Sequence, residues 1–196
     1  MVQDFFFTDN TRTKYDLNKI TLFNILYCGG RDEDKACFLF KLMQSSEQKK
    51  SPNKQMLMSQ SSKLLQVLEY LTFIACIVVG EILASEKSFS HDYEEFQFSH
   101  LMTLYQTNAY ILKEFALFLD STYLFSFFNP KNNSPSKRML TKRDFMARLT
   151  ECNYLLIKPN DLRKRFTDFV LMNQSRALLP SRTTLLGCGR SSPESH

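Results

Sequence analysis

Turns need residues that break regular structure, and this chain has few of them. It holds five glycines and six prolines beside eighteen phenylalanines. A many-stranded β architecture asks for a turn about every ten residues, each rich in Gly, Pro, Asn or Asp. Long helices ask for almost none. At 196 residues and 43% hydrophobic, the chain can bury one substantial core or two small ones, and it is too apolar for wholesale disorder. The expectation is an all-α fold.

Helical spacing runs through most of the chain. From Asp16 to Tyr27 the positions Leu17, Ile20, Phe23 and Tyr27 recur every three or four residues, thickened by Ile25 and Leu26. The next stretch, CGGRDEDKACFLFKLMQ at 28–44, has the look of a site: a thiol, two glycines, then three acids. Local physics explains it without one. Gly29 and Gly30 stop the first helix as a C-cap, and Asp32, Glu33 and Asp34 sit in the first turn of the second, where carboxylates complement exposed amides and the positive dipole end. Phe38, Leu39, Leu42 and Met43 then form its apolar face. A phosphate loop would need G-x-x-x-x-G-K-[ST], which is absent, and the acids would repel the anion.

Residues 45–62 are polar and read as a loop turning at Pro52-Asn53. A helix follows over 62–85, then a long helical pattern from Asp92 to about Phe128 with Leu101, Leu104, Tyr105, Asn108, Ile111, Leu112, Phe115 and Leu119 along one face. It exceeds the usual globular length, which predicts a bend near 106–108 or past Asp120. After the loop NPKNNSPSKR at 129–138, Thr141 caps a helix to about Glu151 with Phe145, Met146 and Leu149 inside. Pro159 opens another through Asn173 with Leu162, Phe166, Phe169 and Val170 inside. The reading is one helical domain over 1–175 and an extended or disordered basic tail over 176–196.

Leu64 to Ala84 has about the length of a membrane span. Glu69 and Glu81 stand near its ends, and only the 11 residues between them are uncharged. A carboxylate at a bilayer centre costs about 2.5–3.5 kcal/mol, so a nearly all-round buried helix is the expectation, with no membrane span. Phe5-Phe6-Phe7 behind Asp4 is too short an apolar run, with the wrong flank, for an export signal. Five cysteines at 28, 37, 76, 152 and 188 form no C-x-x-C pair and read as reduced thiols of a cytoplasmic protein.

Charge divides the chain. Residues 1–130 carry 12 Lys+Arg against 15 Asp+Glu, a net of −3; residues 131–196 carry 13 against 5, a net of +8. The basic end is a candidate surface for an acidic partner.

The order helix, Gly-bearing linker and then EDKACFLFKLMQ resembles the junction between two EF-hands, where an acidic-Lys start leads to an apolar entering helix ending in a Phe-x-x-hydrophobic run. LKEFALFLD, a polar loop and MLTKRDFMARL are similar to a second entering helix, loop and exit. Calcineurin-B-like and calmodulin-like families share this layout, and the likeness spans about 5–175. It implies paired helix–loop–helix units and an apolar cleft for a partner helix. The departures fall on the metal chemistry. A calcium loop needs oxygen ligands at positions 1, 3, 5 and 12, with glycine at 6. Threaded from Gln44, the first loop offers Gln44, Ser46, Gln48 and Gln55, with Lys49 in place of glycine. The second starts with Asp120 but continues with Thr122, Leu124 and Lys131, with Phe125 at the glycine position. No bound calcium and no other metal or cofactor are expected, because hard cations need several anionic oxygens to offset dehydration.

Other chemistry is not legible. His91 and His100, nine apart, do not share a helix face, and His91 with Asp92, Glu94 and Glu95 reads as a solvated helix start. No G-x-S-x-G elbow surrounds a serine, and Cys28 has no base beside it. YLFSFF at 123–128 is too apolar for a free surface and suits docking. The reading is a non-catalytic structural or adaptor protein, a scaffold for protein–protein interaction in the cytoplasm or on the cytoskeleton. Phe115, Phe118, Leu119 and Tyr123 would line the groove. Arg163, Lys164 and Arg165, with Arg176 and Arg182 of the tail, would meet the acidic partner. The alternatives are a calcium sensor with unconventional loops, or a basic RNA- or membrane-surface protein. No nucleic-acid signature supports the RNA version.

Overall fold

The structure, a computed structural model, describes residues 5–8, 13–45, 56–78, 110–125 and 139–177. Among these the fold is all-α, with one two-stranded antiparallel ribbon. Helices α1 (Leu17–Tyr27) and α2 (Asp32–Met43) lead to strand β1 (Met56–Met58), and α3 (Ser62–Phe73) follows, ending in a π-helical turn Ile74–Val78. Helix α4 (Ile111–Leu119) likewise passes into a π-helical segment, Asp120–Phe125, before strand β2 (Met139–Thr141) and α5 (Lys142–Glu151). A 3₁₀ turn, Leu155–Ile157, connects to the last helix, α6 (Pro159–Ala177).

Helix starts follow local chemistry. Asp16 caps α1 by accepting from the amides of Asn18 and Lys19 at 2.9 and 3.4 Å. Ser61 caps α3 through Leu64 N, and Thr141 caps α5 through Asp144 N at 3.1 Å. Each side chain satisfies one of the orphan amides of a first turn. The three acids of α2 sit in its first turn as expected, and Asp34 closes a two-pronged bond with Arg31 at 2.9 and 3.3 Å.

Helix α3 lies along α4, and α2 lies along α5, while α1 leans on both α2 and α3. The core runs between them through Leu22, Leu39, Phe40, Met43, Leu64, Leu68, Leu71, Phe115, Leu119, Phe145 and Phe166. Residues 71–76 are buried without interruption, which agrees with the nearly all-round apolar character read from that stretch. The N-terminal Phe5 stacks on Phe73 at 4.3 Å, and Lys19 Nζ donates to Phe5 O at 2.6 Å.

Several local expectations need correction. Leu17 is 75% exposed and Phe38 55% exposed. The buried faces are Leu22, Ile25 and Leu26 on α1, and Ala36, Leu39, Phe40 and Met43 on α2. One turn is 3.6 residues, so these neighbours set a phase that leaves Leu17 and Phe38 on the outer flank. The cap of α1 is Cys28 in extended geometry, its amide donating to Asn24 O at 2.9 Å. The positive φ of +135° falls on Gly30, beyond the cap, where only glycine sits without strain. Asp120 does not begin a loop, because the backbone stays helical to Phe125 with a change of hydrogen-bond register at Asp120. The break read past Asp120 takes that form. Helix α6 runs to Ala177, so residues 176 and 177 are helical, and the remainder of the basic tail lies outside the described residues. So do positions 101–108 of the long pattern, the ends of the stretches at 79–84 and 126–128, and the 129–138 loop.

Candidate functional site

Two arrangements gather the residues of interest. The first is the ribbon. β1 and β2 pair antiparallel as Met56↔Thr141, Leu57↔Leu140 and Met58↔Met139. Leu57 and Leu140, directly opposite, both point into the core with no exposure. Period-2 alternation buries the middle residue of each three-residue strand, and cross-strand packing of the two leucines ties the α2–β1–α3 unit to the α4–β2–α5 unit.

Beside the ribbon lies Asp120, buried at the end of α4. Its Oδ2 accepts from Ser59 Oγ at 2.8 Å and from Gln60 N at 3.0 Å. Gln60 has φ +56°, an unusual value for a residue with a side chain, and the carboxylate holds its amide in that turn. Asp120 therefore latches the turn after β1 to the α4 terminus. Gln44, the other residue placed at the head of a calcium loop, is buried, and its Nε2 donates to Met56 O at 3.4 Å. Ser46, Gln48, Gln55 and Lys131 lie outside the described residues. Among the described residues, no three His, Cys, Asp or Glu side chains converge as a metal centre would.

The second arrangement is an aromatic cluster between α4 and α6. Phe115 meets Phe166 edge-on at 5.1 Å and Phe169 at 5.3 Å, and stacks near Phe118 at 5.8 Å. Phe118 meets Phe169 at 5.2 Å and Tyr123 edge-on at 6.2 Å. Arg165 lies over the Tyr123 ring at 5.8 Å, a cation–π geometry. Burial raises the Tyr123 hydroxyl pKa, with Arg165 opposing.

Of the residues read as a groove, Phe115 and Leu119 have no exposure, while Phe118 and Tyr123 are half-buried at the rim. In this conformation a ligand cannot reach the first two, because α6 lies against that side of α4. Lys164 and Arg165 are exposed, as an acidic partner would require. Arg163 is half-buried and turned elsewhere: it donates to Asn160 Oδ1, and its charge acts on Tyr27 and Cys76. Burial pushes the Cys76 thiol and the Tyr27 hydroxyl each up to about 12, with Arg163 opposing in both. Such a thiol is inert rather than nucleophilic. Arg176 lies in the last turn of α6, and Arg182 lies outside the described residues, as do His91, Asp92, Glu94, Glu95 and His100.

The Asp120 latch escaped the sequence reading. Its partners stand 60 and 61 positions away, and the only local signal is a carboxylate closing the apolar run FALFL at 115–119. No helix among the described residues is long and apolar enough to cross a membrane. No family model matches the chain, and neither a curated protein nor a solved structure matches it.

Proposed function

We propose that this chain is a non-catalytic adaptor of EF-hand-like build that holds no calcium and binds an acidic protein surface. The observation that carries the reading is the rim between α4 and α6, where Phe118, Tyr123 and Phe169 are half-buried beside the exposed cations Lys164 and Arg165. Aromatic and arginine side chains together are the composition of binding hot spots, and the stretch 131–196 to which the two cations belong is net positive in sequence.

The three-residue ribbon joining two helix–loop–helix units supports the EF-hand-like build. The engagement of Asp120 by Ser59 and Gln60 supports a carboxylate given over to structure rather than to a cation. A buried carboxylate whose Oδ2 accepts two hydrogen bonds holds the turn at Gln60, and calcium calls for several anionic oxygens rather than one. The proposed setting is the cytoplasm, with an acidic cytoskeletal filament as the assembly bound.

Co-sedimentation with polymerised actin and with microtubules tests this. The chain should pellet with at least one of these acidic filaments, less so as salt rises, and the Lys164→Glu, Arg165→Glu pair should stay in the supernatant. Failure to pellet with either filament overturns the partner. A saturable calcium site of micromolar affinity in titration calorimetry replaces the adaptor by a sensor.

A further inference from the structure

We infer that α6 is a displaceable helix occupying the cleft that a partner's amphipathic helix would otherwise fill. This regulates the site proposed above and rests on that reading for its purpose, though not for its test. Leu162, Phe166 and Val170 recur at i, i+4 and i+8 and are all buried. They lie against α3, its π-helical turn and α4, and Phe169 adds ring contacts to Phe115 and Phe118. The opposite face carries Asp161, Lys164, Arg165 and Asp168 in solvent. An apolar stripe in a groove, with charge outside, is how a separate amphipathic helix binds.

Three features make the seat a poor one. The corner leading into α6 carries two consecutive left-handed residues, Asn153 at φ +52° and Tyr154 at φ +57°. L residues adopt that conformation only against steric resistance, and tyrosine gains none of the local compensation available to asparagine. The corner is pinned by two side-chain hydrogen bonds at the surface: Lys158 Nζ donates to Asn153 Oδ1 at 2.9 Å, and Tyr154 hydroxyl donates to Glu33 Oε1 at 3.4 Å. On α1, within the field of Arg163 of α6, the Tyr27 hydroxyl is buried with no hydrogen-bond partner among the described residues. An unmet buried donor disfavours the closed state. Release of α6 would take Arg163 away from the hydroxyl and leave the corner held by the buried 3₁₀ turn Leu155–Ile157. It would also free Phe115, so the residues read from sequence as groove lining would become so in the open state.

The occupant that fits is therefore a partner helix with large apolar side chains at i, i+4 and i+8 and an aromatic one residue before the last, as in α6. Hydrogen exchange on the full-length chain tests it. Amides of 163–173 should exchange together, at least tenfold faster than those of α3 and α4. Phe166→Ala should speed them a further tenfold or more while leaving α3 and α4 unchanged. A fluorescein-labelled peptide of residues 159–177 should then bind the F166A chain at least tenfold tighter than the wild type. If α6 exchanges in step with α3 and α4 in the wild type, the helix is an integral part of the core and the inference falls. Independent exchange without tighter peptide capture by F166A overturns it as well, since the vacated cleft would not accept a helix. Neither readout involves filaments or calcium, so either result leaves the outer Lys164–Arg165 surface to be judged separately.

Discussion

Phe115 decides between two pictures of the α4 helix. If its ring lined an open groove, truncating it would abolish partner binding and barely affect stability. In the structure the ring has no exposure and touches Phe118, Phe166 and Phe169 with centroids 5.1–5.8 Å away. Phe115→Ala should then carry the full cost of a core phenylalanine, about 3–5 kcal/mol from lost transfer and the cavity left behind. Three ring contacts, each contributing about 0.5–1.5 kcal/mol beyond area, place the value in the upper half of that range. Total stabilities of single domains run about 5–15 kcal/mol, so the variant stays folded but with a large part of its margin gone. Urea unfolding followed by circular dichroism measures this. With a slope of about 2 kcal/mol/M, the midpoint should fall by about 2 M. Phe118→Ala, half-buried, should lose about half as much. A loss below about 1 kcal/mol for F115A would refute the core placement, and equal losses for F115A and F118A would refute the distinction between core and rim.

Other consequences are open to direct measurement. Asp120→Ala removes two charge-assisted bonds and should destabilise by about 2–4 kcal/mol, whereas Ser59→Ala, which keeps the Gln60 bond, should cost about 1 kcal/mol; amide shift changes confined away from Met56–Met58 in the D120A spectrum would count against the latch. Burial raises the Glu69 carboxyl above its ordinary 4.5, with Lys113 opposing. A group that binds its proton more tightly when folded favours the fold below the unfolded value and loses that contribution as pH rises through the raised one. Glu69→Gln should therefore raise the melting temperature at pH 7 and make little difference at pH 4, and a stabilisation independent of pH would show that charge is not the cause. A thiol at about 12 in place of 9.0 holds roughly a thousandfold less thiolate at pH 8. Alkylation mapping should accordingly label exposed Cys28 well before buried Cys76, with the order disappearing in urea.

Helix was written into this chain locally. The scarcity of breakers, the capping side chains Asp16, Ser61 and Thr141 and the apolar spacing of Ile111, Leu112, Phe115 and Leu119 all act within a turn or two. Such short-range preferences are legible one residue at a time. Fine phase was less so. Leu17 and Phe38 are as apolar as their buried neighbours, and only packing against other helices selected which flank would face water. Spacing specifies a stripe, but the width of that stripe depends on what covers it.

Three decisions belong to the tertiary structure alone. The ribbon sets Leu57 against Leu140 across more than eighty residues of chain, and no periodicity announces which strand will meet which. Asp120 is of a residue type that suits the head of a cation loop, and only the fold shows its carboxylate accepting from Ser59 and Gln60. The groove residues Phe115 and Leu119 became core because α6 folded back onto α4, and sequence shows a helix's apolar face without showing what it will bury against. Local propensity and capping energies are properties of a segment, whereas burial is a property of pairs of segments distant in sequence. The chain by itself thus determined that it is helical and where the capped helices α1, α3 and α5 begin, and long-range burial decided which of its apolar and acidic side chains are enclosed and which face solvent.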